Sequence, residues 1–213
     1  MTRFRTGLRP AVIGTVTRVA TVRSREPGEK RAVRRARLLA AGAAIGSLLM
    51  ISAAFLSWVG TDTDDGGTTA ITGWGTITGD SDIAGTNLND VLDITGSSTY
   101  RPGLLGVIFG GIGLLAAVVL AASAARRTTR SPARPHRITA AVLTVCGTVG
   151  LGWGIVRGVA PGDAGVLGPG DGAAGVGPWL TAVGGLLLIA VAVSVFAGTA
   201  DPPEALRSRG IQP

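Results

Sequence analysis

The chain is short of nearly everything that active-site chemistry draws on. Its 213 residues include one cysteine, one histidine and one lysine. A lone thiol cannot form an intrachain disulfide, so a disulfide scaffold is excluded. A single histidine rules out a paired-histidine zinc site. His136 sits between Pro135 and Arg137, and no Ser-His-Asp constellation can be built around it. The only lysine, Lys30, follows no glycine-rich phosphate loop. Aromatic residues make up 4% of the chain and charged residues 15%, against about 25% charged in average soluble chains. The 34 glycines show no three-residue period, which excludes collagen. What the chain does have is apolar surface: 46% of its residues are hydrophobic and its mean hydropathy is +0.43. That is too apolar for a disordered protein and too poorly charged for an ordinary globular one.

Four runs carry this apolar content. Leu38 to Val59 and Leu104 to Ala125 each hold 22 residues without an ionisable side chain, and Ile138 to Val156 and Trp179 to Ala197 each hold 19. A 22-residue helix rises about 33 Å, enough for a hydrocarbon core of about 30 Å. The runs are apolar on every face, unlike the one-sided pattern of a helix on a soluble core. The expected fold is an all-α membrane protein, a bundle of four transmembrane helices. The implied segments are a basic arm at 1–37, spans at 38–59, 103–125, 138–157 and 177–198, an acidic loop at 60–102, a basic loop at 126–137, a glycine-rich loop at 158–176 and a tail at 199–213.

The ionisable residues alternate by segment. Residues 1–37 hold eleven Lys/Arg against Glu26 and Glu29, a net of +9; residues 60–102 hold seven Asp against Arg101, a net of −6; residues 126–137 hold five Arg and no acid. Basic residues flanking spans stay on the cytoplasmic side. This predicts a membrane protein with both termini in the cytoplasm and 60–102 outside. The pI of 11.3 is then explained by topology and by attraction of the basic arm to anionic lipid head groups. The arm has no aromatics beyond Phe4 to stack on bases, so nucleic acid is not an expected partner. Val12, Ile13, Val16, Val19 and Val22 lie near helical spacing among arginines, which fits either an amphipathic surface helix or a disordered arm. Arg34-Arg35-Ala36-Arg37 precedes an apolar run longer than the about 7–15 residues of a cleavable signal, so the run is read as a retained anchor.

The loop 60–102 is the expected seat of function. Alternation from Thr69 to Thr78, with Ile71 and Ile77 on one side and Gly73 and Gly75 flanking Trp74, predicts a short β-hairpin. Asn87 to Ile94 reads as either a helical turn or a third strand. Trp74, Asp80 and Asp82 are the candidate interaction residues. The acids do not make a calcium loop: counted from Asp80, Gly85 falls at the sixth position but Val91 at the twelfth. No metal or cofactor is therefore expected.

Within the spans, small residues recur every fourth position: Gly42 and Gly46, Gly106 and Gly110, and Gly150, Gly154 and Gly158, the six from Gly42 to Gly154 being the candidate packing residues. Such faces allow close helix packing, either inside one bundle or between copies in a homo-oligomer. Trp58, Trp153 and Trp179 fall near the same ends of their spans, where a belt of aromatics meets the head groups. Arg157 lies at the end of the third span, positioned to snorkel, to pair with a loop aspartate or to contact a substrate.

Phe55-Leu56-Ser57-Trp58-Val59, Gly73-Trp74 and Gly175-Val176-Gly177-Pro178-Trp179-Leu180 together resemble a group of small four-span membrane proteins of high-GC bacteria, over roughly residues 38–198. The resemblance implies topology and a bacterial membrane, with no activity to transfer to particular residues. The four-span plan with a larger first loop is also that of claudin-like proteins, whose paired loop cysteines are missing here. The expected role is a non-enzymatic envelope scaffold that binds a membrane or cell-wall partner through 60–102. The competing reading is a small transporter or an oligomeric pore lined by the glycine faces.

Overall fold

A computed structural model describes residues 27–62, 67–95, 99–125, 134–161 and 172–200. These residues are mostly helical, with a small antiparallel sheet. In chain order they form α1 (Pro27–Ala53), β1 (Ser57–Asp62), β2 (Thr68–Thr72), β3 (Ile77–Gly79), α2 (Leu88–Thr95), α3 (Gly103–Ala125), α4 (Arg134–Val159), β4 (Ala173–Ala174) and α5 (Val176–Ala200). Four of the helices contain stretches long and apolar enough to cross a membrane: Val33–Ala53, Gly103–Ser123, Arg137–Val159 and Val176–Gly198. At 21 to 23 residues each rises about 31–35 Å.

α1 packs against α3 and α5, while α4 packs against α5 and less extensively against α3. Met50, Leu143, Cys146 and Leu188 lie fully buried between them. Because the four long helices alternate in direction, α1 enters and α5 leaves at the end where α3 is joined to α4. The opposite end carries the sheet, whose strand order is β3-β2-β1-β4.

Several boundaries differ from the sequence expectation, and α4 already begins at Arg134, inside the expected basic loop 126–137. The last eleven residues of the basic arm, 27–37, belong to α1; residues 1–26, on which the amphipathic-or-disordered reading of the arm falls, lie outside the described residues. The first apolar run is also not helical to Val59: α1 stops at Ala53 and the chain becomes β1 from Ser57. Ala54, Phe55 and Leu56 tighten the helix end with i→i−3 bonds to Ile51, Ser52 and Ala53, a usual way to occupy terminal carbonyls. The Trp58 indole then donates to the Ala53 carbonyl at 2.8 Å. Beyond it, Val59 and Thr61 bring the β-branching that favours a strand. Hydropathy alone could not mark this break, because Phe55 to Val59 are as apolar as the helix before them.

The predicted hairpin is present as β2 and β3, with Ile71 opposite Ile77 and both buried. Its three-residue loop, Gly73-Trp74-Gly75, closes with Gly75 N–H donating to the Thr72 carbonyl. Gly75 has φ +84°, and a Cβ there would fall 2.6 Å from Asn89 Nδ2. A turn ending in a left-handed residue is a favoured three-residue hairpin loop. The segment 87–94 resolves as a helix, α2, whose Leu88 and Leu92 pack on Ile71, Ile77 and Tyr100. Spacing of i, i+4 puts both leucines on one helix face.

Candidate functional site

The sheet and α2 form a cap over the helix ends, and Trp58 is the residue that joins them. Its side chain is 1% exposed. The indole lies between two glycines of other segments: a Cβ on Gly73 would fall 2.7 Å from Trp58 Nε1, and one on Gly177 would fall 2.5 Å from the same ring. Leu56 O accepts from Gly73 N–H at 3.2 Å and Trp58 O accepts from Gly175 N–H at 3.0 Å. Gly73 O in turn accepts from Gly103 N–H at the start of α3. The end of α1, the hairpin turn and the entry to α5 thus meet at a single indole.

This corrects the aromatic-belt reading for Trp58, which faces the protein interior. The cause is the early end of α1, which turns the tryptophan inward on β1. Trp153 is half-buried and donates from Nε1 to the Pro102 carbonyl at 2.9 Å, so it latches α4 to the start of α3. Trp179 is 47% exposed, as a belt residue would be. The guanidinium carbon of Arg157 lies 4.6 Å from the centre of the Trp153 ring, a cation–π distance.

Trp74 is half-buried at the hairpin tip, tilted against Phe55 with ring centroids 6.1 Å apart. Its carbonyl accepts from Asn89 Nδ2 at 3.1 Å, and Asn89 Oδ1 accepts from Tyr100 N–H. Asp80 and Asp82 are exposed, in the turn after β3. Asp80 N–H donates to the Thr68 carbonyl at the far end of β2, so the hairpin holds Asp80 and Trp74 at opposite ends, about 13 Å apart along a five-residue strand. The structure therefore does not gather the three candidates into one spot. Instead Asp80 and Asp82 neighbour Ile83 in sequence, and all three are exposed on the cap. So is the outward face of α2, with Asp90, Val91, Asp93 and Ile94. Ile83 is 55% exposed, Val91 51% and Ile94 87%. Val91 and Ile94 went unnoticed in the sequence because 87–94 read equally as strand or helix; the Leu88/Leu92 spacing was the signal that would have separated them from the buried face.

Among the described residues no group of three or more His, Cys, Asp or Glu gathers to hold a metal ion. Asp64 and Asp65 lie outside the described residues, as does the side chain of His136, whose backbone is in the first turn of α4. The six glycines singled out by spacing each face a neighbouring helix. A Cβ on Gly42 would meet Val191 at 3.2 Å, on Gly46 the Gly184 carbonyl at 2.9 Å, on Gly106 the Met50 carbonyl at 2.8 Å and on Gly110 the Ser47 carbonyl at 2.9 Å. On Gly150 it would strike the Met50 side chain, and on Gly154 the Pro178 carbonyl at 2.5 Å.

Tyr100, the chain's only tyrosine, is buried under the cap, and burial pushes its phenol up to about 12 against a smaller opposing pull from the Arg157 charge. The phenolate absorbance of the folded protein should therefore appear near pH 12, and that of the unfolded chain near pH 10. The unfolded chain ionises first. Tyr100's contribution to stability is thus intact below about pH 10 and is lost as pH climbs toward 12. Arg157→Met should move the folded midpoint higher still. A folded midpoint near 10 would place Tyr100 in water.

No protein-family model matches the chain and no curated protein matches it significantly.

Proposed function

We propose that the chain is a multi-pass protein of a bacterial plasma membrane, its four long helices bundled in the bilayer, its termini cytoplasmic and its cap outside. The observation that carries the membrane reading is the apolar outer surface of these helices, which includes Leu38, Ile45, Leu48, Leu115, Val118, Ile138, Val145, Leu186 and Val193, each at least 48% exposed. Water-soluble monomers rarely expose contiguous apolar patches larger than a few hundred Å². The orientation is supported by the arginine-rich end opposite the cap and the net −6 of residues 60–102.

The role we assign is non-catalytic binding of an envelope partner by the cap. On the cap, exposed Ile83 follows Asp80 and Asp82 in the turn after β3, and exposed Val91 and Ile94 each follow an aspartate, Asp90 and Asp93, on the outward face of α2. Such a surface suits a partner that offers apolar contact ringed by cationic groups. The oligomeric-pore reading loses the feature that motivated it, because the six glycines are occupied by contacts within the chain.

Three measurements test this proposal. Alkaline carbonate washing should leave the protein in the membrane, and reporters placed after Pro213 and within the 80–86 turn should read the cytoplasm and the exterior respectively; release by carbonate, or reversed reporters, refutes the topology. A photoreactive side chain at position 94 should then yield one dominant crosslinked species in native membranes, lost in Asp90→Asn/Asp93→Asn. A diffuse set of products unaffected by those changes removes the binding role.

A further inference from the structure

Away from the cap, on the other half of the helices, the described residues contain a concave surface. A groove of about 360 Å³ runs along the seam between α3 and α4, lined by Ile112, Leu115 and Val119 on one side and Ile138 and Val142 on the other, with Ala116 at its floor. Its position follows from the uneven packing of the four helices: α3 meets α4 less closely than α4 meets α5, so the seam stays open. Leu115 is 69% exposed and Ile138 68%, so the groove opens outward. It lies in the part of the seam nearest the α3–α4 connection, since α4 contributes residues from its second and third turns only.

The segment that joins α3 to α4 carries charge of one sign. The twelve residues 126–137 include five arginines and no acid. Arg137 directly precedes the groove-lining Ile138, is exposed, and has no partner among the described residues. Arg35 makes the contrast: it donates to the Ser194 carbonyl at 3.2 Å and lies against Gly198, so its charge serves the C-terminal part of α5. Among the described residues nothing neutralises the Arg137 charge.

We propose that the α3–α4 groove holds an acyl chain of an anionic phospholipid whose phosphate is bound by Arg137. The inference rests on the membrane reading above and adds a selective site to it. An apolar slot in the hydrocarbon region, with a cation at the level where that slot reaches the head groups, matches a lipid along its length: tail in the seam, phosphate on the guanidinium. Basic pockets between helices on the cytoplasmic side take such head groups. A zwitterionic lipid would fill the slot equally well but gain less from the surplus of arginines.

The test uses the full chain, solubilised in mild detergent and presented with phosphatidylglycerol, phosphatidylcholine or the water-soluble head group glycerophosphoglycerol, with retained lipid counted by native mass spectrometry. Phosphatidylglycerol should be retained in preference to phosphatidylcholine, and the bare head group should not be retained. Arg137→Gln should cut the preference by about five-fold, the roughly 1 kcal/mol that one arginine supplies near an anionic surface. Val119→Trp and Leu115→Trp, which fill the groove from its exposed side, should each abolish retention, while Arg101→Gln at the cap end should leave it unchanged. Equal retention of the two phospholipids, retention that survives both tryptophan variants, or a dimer that those variants split would overturn the proposal. A carbonate-resistant protein with no lipid preference would sink only this site; release by carbonate would sink the membrane reading beneath it.

Discussion

Replacing Trp58 with alanine should detach the cap from the helix ends, at a cost of about 3–5 kcal/mol, the range for truncating a buried tryptophan. The expectation is at the upper end because the cavity cannot close easily. The walls are backbone: Gly73 of the hairpin turn, Gly177 at the start of α5 and the carbonyl of Ala53. Trp58→Phe separates the two parts of the loss. It keeps most of the ring and removes the N–H, so it should cost about 1 kcal/mol, the net worth of one hydrogen bond, or somewhat more because the Ala53 carbonyl is buried. Limited proteolysis within 60–102, together with thermal unfolding in detergent, reads both effects. Trp74→Ala provides the contrast, since Trp74 is half-buried against a largely exposed Phe55 and should change protease sensitivity far less. If Trp58→Ala and Trp74→Ala behaved alike, the indole of Trp58 would not be what joins the three segments.

The same residue shows where reading the sequence succeeds and where it stops. A tryptophan near the end of an apolar run is equally at home among lipid head groups and in a folded interior, and the run itself gives no sign of where its helix ends. The break after Ala53 depends on contacts from Gly73 and Gly175, both distant in sequence, so no local pattern could announce it. The four apolar helices were legible because they need only length and the absence of charge. The hairpin was legible because Ile71 and Ile77 alternate around a loop whose glycines suit a tight turn. β4 was not: Ala173–Ala174 is two residues long, and it is a strand only because Gly60 and Val59 lie beside it. On the cap surface, charge alone pointed to Asp80 and Asp82. The aliphatic half of that surface, Val91 and Ile94, emerged only when α2 formed and assigned Leu88 and Leu92 to its inner face.

Gly154 and Gly152 should respond to alanine with opposite signs. In a helix without close neighbours, glycine to alanine stabilises by about 0.8–1.0 kcal/mol, and Gly152 has that freedom: a Cβ there meets nothing within 4 Å. Two residues on, and so on the opposite face of the helix, a Cβ on Gly154 would lie 2.5 Å from the Pro178 carbonyl, 2.6 Å from Ala182 N and 2.9 Å from Ala182 Cβ. Two of those three atoms are main chain, so no rotamer change relieves the clash and α5 itself must move. The cost should reach or exceed the about 1–3 kcal/mol of an overpacked core, and it falls on the α4–α5 seam, the most extensive helix contact in the molecule. Denaturant titration of helicity in detergent should therefore place Gly152→Ala at or above wild type and Gly154→Ala well below it, with Gly154→Leu worse again. The difference in sign matters more than either size, because both substitutions add the same methyl group to the same helix. If the two variants shifted together, stability would be following helix propensity alone, and close approach of α4 to α5 at Gly154 would not be holding the helices in place.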